Sequence, residues 1–342
     1  MPMKKNSMVI RIGTLGHVLG TVLTFLSGTW CTLSLHFNPL LPAWLATCAA
    51  VLFVVASGIT WRRSKTWPGF LKYFLPAGFC VGLFWCFVVP SQQESSNSMW
   101  SRLHAKMPLS TFDGDTVTIQ DVRNSSFQPN GEYEVRHEDR TFQLSELESI
   151  WFGEQHFANF RGIAHTFVSF GFRNGEYLSV SAEARRGEGE DFSPVRGFFK
   201  QFGLIYVVSI EQDAIRRSLG DDLPIYLYPI RASDEQMQAM FQHMLRRANG
   251  LHNQPEFYHT ARNNCASNIV DSFNEIAPIH FSRYSPFIVL PGYSGKVAYK
   301  QGLIDTDSSF NELQTQARIN ELAMEADEEN FSSHIRSKVK LH

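Results

Sequence analysis

The first ninety residues contain no aspartate and no glutamate. Within them lie three apolar runs, at 13–35, 40–60 and 73–89, and the first two carry no charged side chain at all. An apolar segment of ~20 residues is what a helix needs to cross the hydrocarbon of a bilayer. The pattern therefore predicts three transmembrane helices in residues 1–90. Trp44, Trp61, Trp67 and Trp85 fall at or near the ends of these runs, as interfacial aromatics do. A cleavable signal peptide fits poorly, because the first run is long and two more follow.

Orientation follows from the basic residues. Lys4, Lys5 and Arg11 precede the first run, and Arg62, Arg63, Lys65 and Lys72 separate the second from the third. The connection at 36–41 has neither lysine nor arginine. The positive-inside rule then places the N-terminus in the cytoplasm and, after three crossings, residues 91–342 outside. In a bacterium this reads as a multi-pass inner-membrane protein with a periplasmic C-terminal domain. Only His17 is ionisable within a run, so the simplest role for these helices is an anchor.

The rest of the chain has a different balance. Of 31 basic residues, 24 lie beyond residue 90, with all 33 acidic ones. That excludes a nucleic-acid binder driven by a basic patch. Aromatic residues are 13% of the chain, which excludes long disorder. Cys31, Cys48, Cys80 and Cys86 belong to the apolar part, where they read as small hydrophobes, and Cys265 alone remains beyond it. No CxxC pair suggests zinc.

Residues 91–98 are rich in Ser and Gln and read as a linker. Strand patterns follow at 116–122, 131–136, 140–144, 162–172, 177–184, 203–209 and 225–228. Ser233-Asp234-Glu235-Gln236 is a capping box. Met237, Met240, Phe241, Met244, Leu245 and Ala248 follow it at helical spacing, and Asn249-Gly250 reads as the helix end. Asn264 caps a second helix from Cys265 to about Phe273, and residues 309–326 read as one acidic amphipathic helix. The expected class is α+β, an antiparallel sheet with flanking helices. The expected organisation is an anchor at 1–90, a linker at 91–98, a domain at 99–305 and a C-terminal acidic helix and tail at 306–342.

Two features carry candidate chemistry. The strands on either side of Arg173-Asn174-Gly175 place apolar residues on even positions and His165, Ser169, Ser179, Ser181 and Glu183 on odd ones. Both apolar sets share one face only if the loop has three residues, with Gly175 in the left-handed conformation. Phe172 then pairs with Glu176, and His165 lies opposite Glu183. The second feature is Cys265 in the first turn of a helix. There, unpaired N–H groups and the helix dipole favour thiolate over thiol, and the same N–H groups can receive an oxyanion. A strand histidine to take the thiol proton and a carboxylate to orient it complete the logic of thiol acyl transfer.

Other readings of these residues stand beside this one. A lone strand histidine is usually structural, and a helix cysteine is usually inert core. A zinc site from His156, His165, His252, His259 and Cys265 has no ligand spacing behind it. Arg185, Arg186 and Arg196 are candidates for holding a lipid phosphate, or they form a solvated salt-bridge surface with Glu183, Glu188 and Glu190.

Six stretches together resemble one family: AHTFVSFGF (164–172), YLSVSAEARRGEGE (177–190), FKQFGLIYVV (199–208), YLYP (226–229), PEFYHTARNNCASN (255–268) and LPGYSGKVAYKQGLI (290–304). In this order they resemble the Lnb N-terminal periplasmic domain family over residues 99–304. The resemblance implies a bacterial lipoprotein N-acyltransferase-like protein on a circularly permuted papain- or NlpC-like thiol fold, in which the histidine precedes the cysteine. It implies Cys265 as nucleophile and His165 as its histidine, with Glu183 at the acidic position of the second strand. Asn264, which precedes the cysteine, is taken with Ser181 and Arg185 as substrate- and oxyanion-binding residues. The partners implied are a phospholipid acyl donor and a lipoprotein amine acceptor, with no cofactor and no metal. The family's characterised acyltransferases carry membrane helices after this domain, whereas here the apolar runs precede it. A periplasmic cysteine peptidase or amidase acting on peptidoglycan, and a non-catalytic membrane-tethered binding module, are the alternatives.

Overall fold

In the computed structural model, the described residues are 99–339, apart from 128–131, 220–222 and 278, together with 28–37, 42–63 and a few isolated positions upstream. The chain divides into two compact units: residues 1–96 with 199–201, and residues 97–198 with 202–342.

The expectation of three membrane-spanning helices is not supported. Among the described residues no helix is long and apolar enough to cross a membrane. About half of the run at 13–35 and nearly all of the run at 73–89 lie outside the described residues. The middle run forms α1 (Ala43–Arg63), a 21-residue helix. Trp44, Val51, Leu52 and Ile59 of this helix are exposed.

The second unit is α+β. Its strands are β1 (Leu109–Asp113), β2 (Thr116–Arg123), β3 (Ser126–Phe127), β4 (Tyr133–Glu134), β5 (His137–Gln143), β6 (Leu147–His156), β7 (Ala164–Phe172), β8 (Tyr177–Arg185), β9 (Gly203–Ile210) and β10 (Ile225–Pro229). Eight of them form one sheet in the order β1-β2-β9-β8-β7-β6-β10, with β5 also on β2, while β3 and β4 form a separate ribbon. The sheet is mostly antiparallel. The exception is β2 against β9, which meet in parallel at Arg123–Ser209.

The helices are α2 (Pro194–Phe198), α3 (Glu211–Arg216), α4 (Asp234–Asn253), α5 (Cys265–Ile276), α6 (Pro286–Val289), α7 (Ser294–Lys300), α8 (Phe310–Ala317), α9 (Asn320–Glu325) and α10 (Phe331–His334). Alternation along the strands sends Val168, Phe170, Phe172, Leu178 and Val180 to one face, where they pack on Met240, Phe241, Met244 and Leu245 of α4 and Ile269 of α5. Burying one such side chain stabilises by roughly 1.5–3 kcal/mol. The opposite face is covered as well. Trp151, Phe167 and Leu227 pack there on Ile215, Leu322, Phe331 and Ile335.

Several local expectations change in this setting. β6 is absent from the strand pattern because it is buried on both faces over most of its length, which erases period-two alternation. Helix α4 runs through Asn249-Gly250 to Asn253. Asn249 does not close the helix but spends its amide on β1, taking the Ser110 N–H at 2.8 Å and donating to the Ser110 carbonyl at 2.6 Å. The single helix expected at 309–326 is two, α8 and α9. The break at Arg318–Ile319 covers the free edge of β10: Ile319 N–H donates to the Ile225 carbonyl at 3.0 Å, and Ile225 N–H donates to Asn320 Oδ1 at 2.9 Å. An edge strand with open N–H and C=O groups is a liability that such covering removes.

Candidate active site

The hairpin loop is built as its composition requires. Gly175 has φ of +85°, its N–H donates to the Phe172 carbonyl at 2.8 Å, and Phe172 N–H donates to the Glu176 carbonyl at 2.9 Å. A positive φ costs glycine nothing and would strain other residues. The pairing of β7 with β8 then runs from Gly171–Tyr177 to Val168–Val180. Continued three residues further, the same register sets His165 opposite Glu183. Their side chains approach to 3.7 Å, His165 Nε2 to Glu183 Oε1.

Cys265 is the first residue of α5, and Asn264 is its N-cap. Asn264 Oδ1 accepts from Ser267 N–H at 2.8 Å, and Asn264 N–H donates to Ser267 Oγ at 2.8 Å. The Asn264 amide nitrogen donates to the carbonyls of Thr260 at 2.5 Å and Ile288 at 2.7 Å. The role in oxyanion binding assigned to Asn264 is therefore corrected: its side chain is fully spent on the cap and on two loops. Asn268 likewise serves the scaffold, donating to Asn263 Oδ1 and to the Asn264 carbonyl.

The Cys265 side chain is buried against His165 and Thr166. Burial, the largest single influence, raises the thiol pKa. The hydrogen bond and charge of His165, with the side chain and backbone of Thr166, outweigh it and bring the pKa below the usual cysteine value. Nearby Tyr258 is pushed well above the usual tyrosine range, first by burial and then by the charges of Cys265 and Glu183, so its hydroxyl keeps its proton. Tyr258 is brought there by backbone pairing with the neighbour of β9, its N–H donating to the Phe202 carbonyl at 3.0 Å.

Glu183 is 9% exposed and accepts four hydrogen bonds. Ser181 Oγ donates at 3.0 Å, His104 Nε2 lies at 3.2 Å, and Arg217 donates through both terminal nitrogens at 3.1 Å. Burial alone would raise its pKa. Arg217, the His104 hydrogen bond and the charge of His165 instead hold the carboxyl well below the ordinary carboxylate range.

Two further expectations are corrected here. The Ser181 hydroxyl is taken up by Glu183 rather than left for substrate. Arg185 is drawn away from the site: it donates to the carbonyls of His104 at 3.2 Å and Ala105 at 3.3 Å, and its guanidinium lies 4.2 Å over the Trp100 ring. The arginines beside the cysteine are Arg186 and Arg217. The zinc candidates are dispersed. His156 pairs with Glu154, His252 bonds the Pro108 carbonyl, and His259 accepts from Ala261 N–H. Among the described residues no cluster of three metal-ligating side chains is present.

Cys265, His165 and Glu183 open on a cavity of about 410 Å³. Its wall is dominated by Phe157, Ile163, Ala182, Phe192, Tyr258 and Val289. Of the groups that shape this site, His104, Thr166, Arg217 and Tyr258 are absent from the sequence-level reading. His104 and Arg217 stand 79 and 34 positions from Glu183, so no local pattern links them to it.

Residues 133–291 match the family described as the Lnb N-terminal periplasmic domain. No curated protein and no solved structure matches the chain.

Proposed function

We propose, from the match of residues 133–291 to that periplasmic domain family, that the chain is a membrane-attached thiol acyltransferase with Cys265 as nucleophile and His165 as its acid–base partner. The observation that carries the proposal is a buried cysteine at a helix start that shares a mostly apolar cavity with His165 and Glu183. An alkyl chain is favoured by such a wall, whereas a peptidoglycan stem requires polar partners along its length.

The reaction runs in two halves. The Cys265 thiolate attacks the carbonyl carbon of a phospholipid ester, forming a C–S bond. As the tetrahedral centre collapses, the C–O bond breaks and the lysophospholipid oxygen takes a proton from the His165 imidazolium. The α-amine of a diacylglyceryl-cysteine lipoprotein then attacks the thioester. Its nitrogen loses a proton to His165, the C–S bond breaks and the thiolate returns. The oxyanion of each half is received by the first N–H groups of α5, with the protonated Tyr258 hydroxyl as a further donor. With Nε2 turned to Glu183, Nδ1 of His165 is the nitrogen that exchanges protons with sulfur, and the carboxylate stabilises the imidazolium between steps. The acid-free composition of residues 1–90 and the exposed apolar side chains of α1 support attachment to the inner membrane, where both lipid substrates reside.

The test is complementation of a bacterial strain depleted of its apolipoprotein N-acyltransferase, followed by mass spectrometry of a lipoprotein N-terminus. The wild-type chain is expected to restore the N-acyl mass and Cys265→Ala to abolish it. A well-expressed wild-type chain that leaves the amine free overturns the substrate assignment.

A further inference from the structure

His104 lies outside the matched region, in a turn that precedes the first strand, and its side chain is completely buried. Both ring nitrogens are engaged. Nδ1 accepts from the Arg186 backbone N–H at 3.2 Å, and a backbone amide can only donate. The ring proton of the neutral form therefore sits on Nε2, which points at Glu183 Oε2 at 3.2 Å.

The turn carrying this histidine is pinned from several directions. Arg185 donates to the His104 and Ala105 carbonyls, and Arg123 donates to the Leu103 carbonyl at 3.0 Å while holding Asp213. Ser101 N–H donates to the Arg186 carbonyl, and Glu188 N–H donates to the Met99 carbonyl. Residues 99–105 thus follow β8 and the loop beyond it, and the ring cannot shift without moving them.

We infer that His104 is a positioning residue for the Cys265–His165 pair: its Nε2–H holds Glu183 Oε2, so that Oε1 stays turned toward His165. The inference rests on the thiol–imidazole reading of the site, not on the identity of the acyl substrate. The titratable and charged groups around Glu183 are His104, His165 on β7, Arg217 after α3, Arg186 after β8, Tyr258 and Cys265 on α5. Arg217 already neutralises the carboxylate. A second cation at position 104 would weaken its pull on the His165 imidazolium, whereas a neutral donor orients it without adding charge. Burial lowers the His104 pKa, outweighing its hydrogen bond to Glu183, and keeps the ring neutral. A fully buried ring does not touch substrate, so its action passes through Glu183.

The experiment is the rate of Cys265 alkylation by iodoacetamide in the full chain, read by mass spectrometry of the Cys265 peptide between about pH 5 and 9. His104→Gln keeps a donor near the Nε2 position. His104→Asn keeps only an acceptor for the Arg186 N–H. The Asn variant is expected to move the inflection upward by about one pH unit and slow alkylation at neutral pH about tenfold. The Gln variant is expected to stay within about twofold of wild type. A purely structural role predicts a lower melting temperature with the profile unmoved. An Asn profile equal to wild type, or Gln and Asn shifted alike, overturns the inference. A wild-type protein that alkylates as expected yet fails to N-acylate sinks the substrate proposal alone. Wild-type Cys265 that titrates like a free thiol sinks both.

Discussion

Two buried glutamates meet the same polar stripe of the β7–β8 hairpin at opposite ends. Glu211, the first residue of α3, accepts from Ser169 Oγ at 2.5 Å and from both terminal nitrogens of Arg336 at 2.7 and 2.5 Å. Glu183 likewise accepts from a serine and a doubly bonded arginine. The surroundings differ. Arg336 lies 3.7 Å from the Tyr177 ring centre and 4.6 Å from that of Trp151, sealed beneath the C-terminal helices. Glu183 opens on the cavity, and its neighbour His165 stands at 3.7 Å, too far for a full hydrogen bond. Glu211 meets only its serine and its enclosed arginine, the arrangement of a structural acid. Glu183, with four hydrogen bonds of its own, differs in facing a cavity and an imidazole, the two features on which the proposed thiol chemistry draws.

The largest expected effect breaks the sealed end. Arg336→Met leaves Glu211 buried without its cation and is expected to cost about 3–5 kcal/mol in urea unfolding. The same variant, once folded, should alkylate at Cys265 with the wild-type pH profile. A changed profile would mean that the two ends are coupled. Next comes the open end. Wild-type alkylation should rise with pH through an inflection below that of a free cysteine, because the folded pKa is depressed. His165→Ala removes the hydrogen bond and the charge that depress it and leaves the burial that raises it. The inflection should then move above the free-cysteine value, with about a hundredfold loss of rate at neutral pH. An unchanged rate would show that His165 does not govern the thiol. The smallest effect concerns the support beneath both readings. Asn264→Ala removes the cap of α5 and is expected to cost about 1 kcal/mol in thermal unfolding. No loss would mean that neither the cap nor the amide bonds to the Thr260 and Ile288 carbonyls hold the helix start.

What was legible in the sequence was local. The loop Arg173-Asn174-Gly175, its left-handed glycine and the parity of polar positions place His165 against Glu183, because side chains alternate strictly along a strand. The Asn264 cap and the first-turn cysteine follow from the same kind of short-range rule. What was not legible depends on contacts between distant segments. Ser181 and Arg185 lie at the expected places along β8, but their partners, Glu183 and the 104–105 carbonyls, decide what they do. His104 and Thr166 carry no pattern of their own. β6 escaped because helices cover the sheet on both sides and leave no polar face to read.

The break between α8 and α9 reaches beyond helix geometry. By closing the outer side of β10, residues 318–320 act as a surrogate strand that no second chain needs to supply. Opening this contact would expose the Ile225 donor and acceptor on the outer side of β10. An edge left open in this way invites pairing with a second copy, so residues 318–320 bear on how the domain keeps to itself rather than on how it reacts.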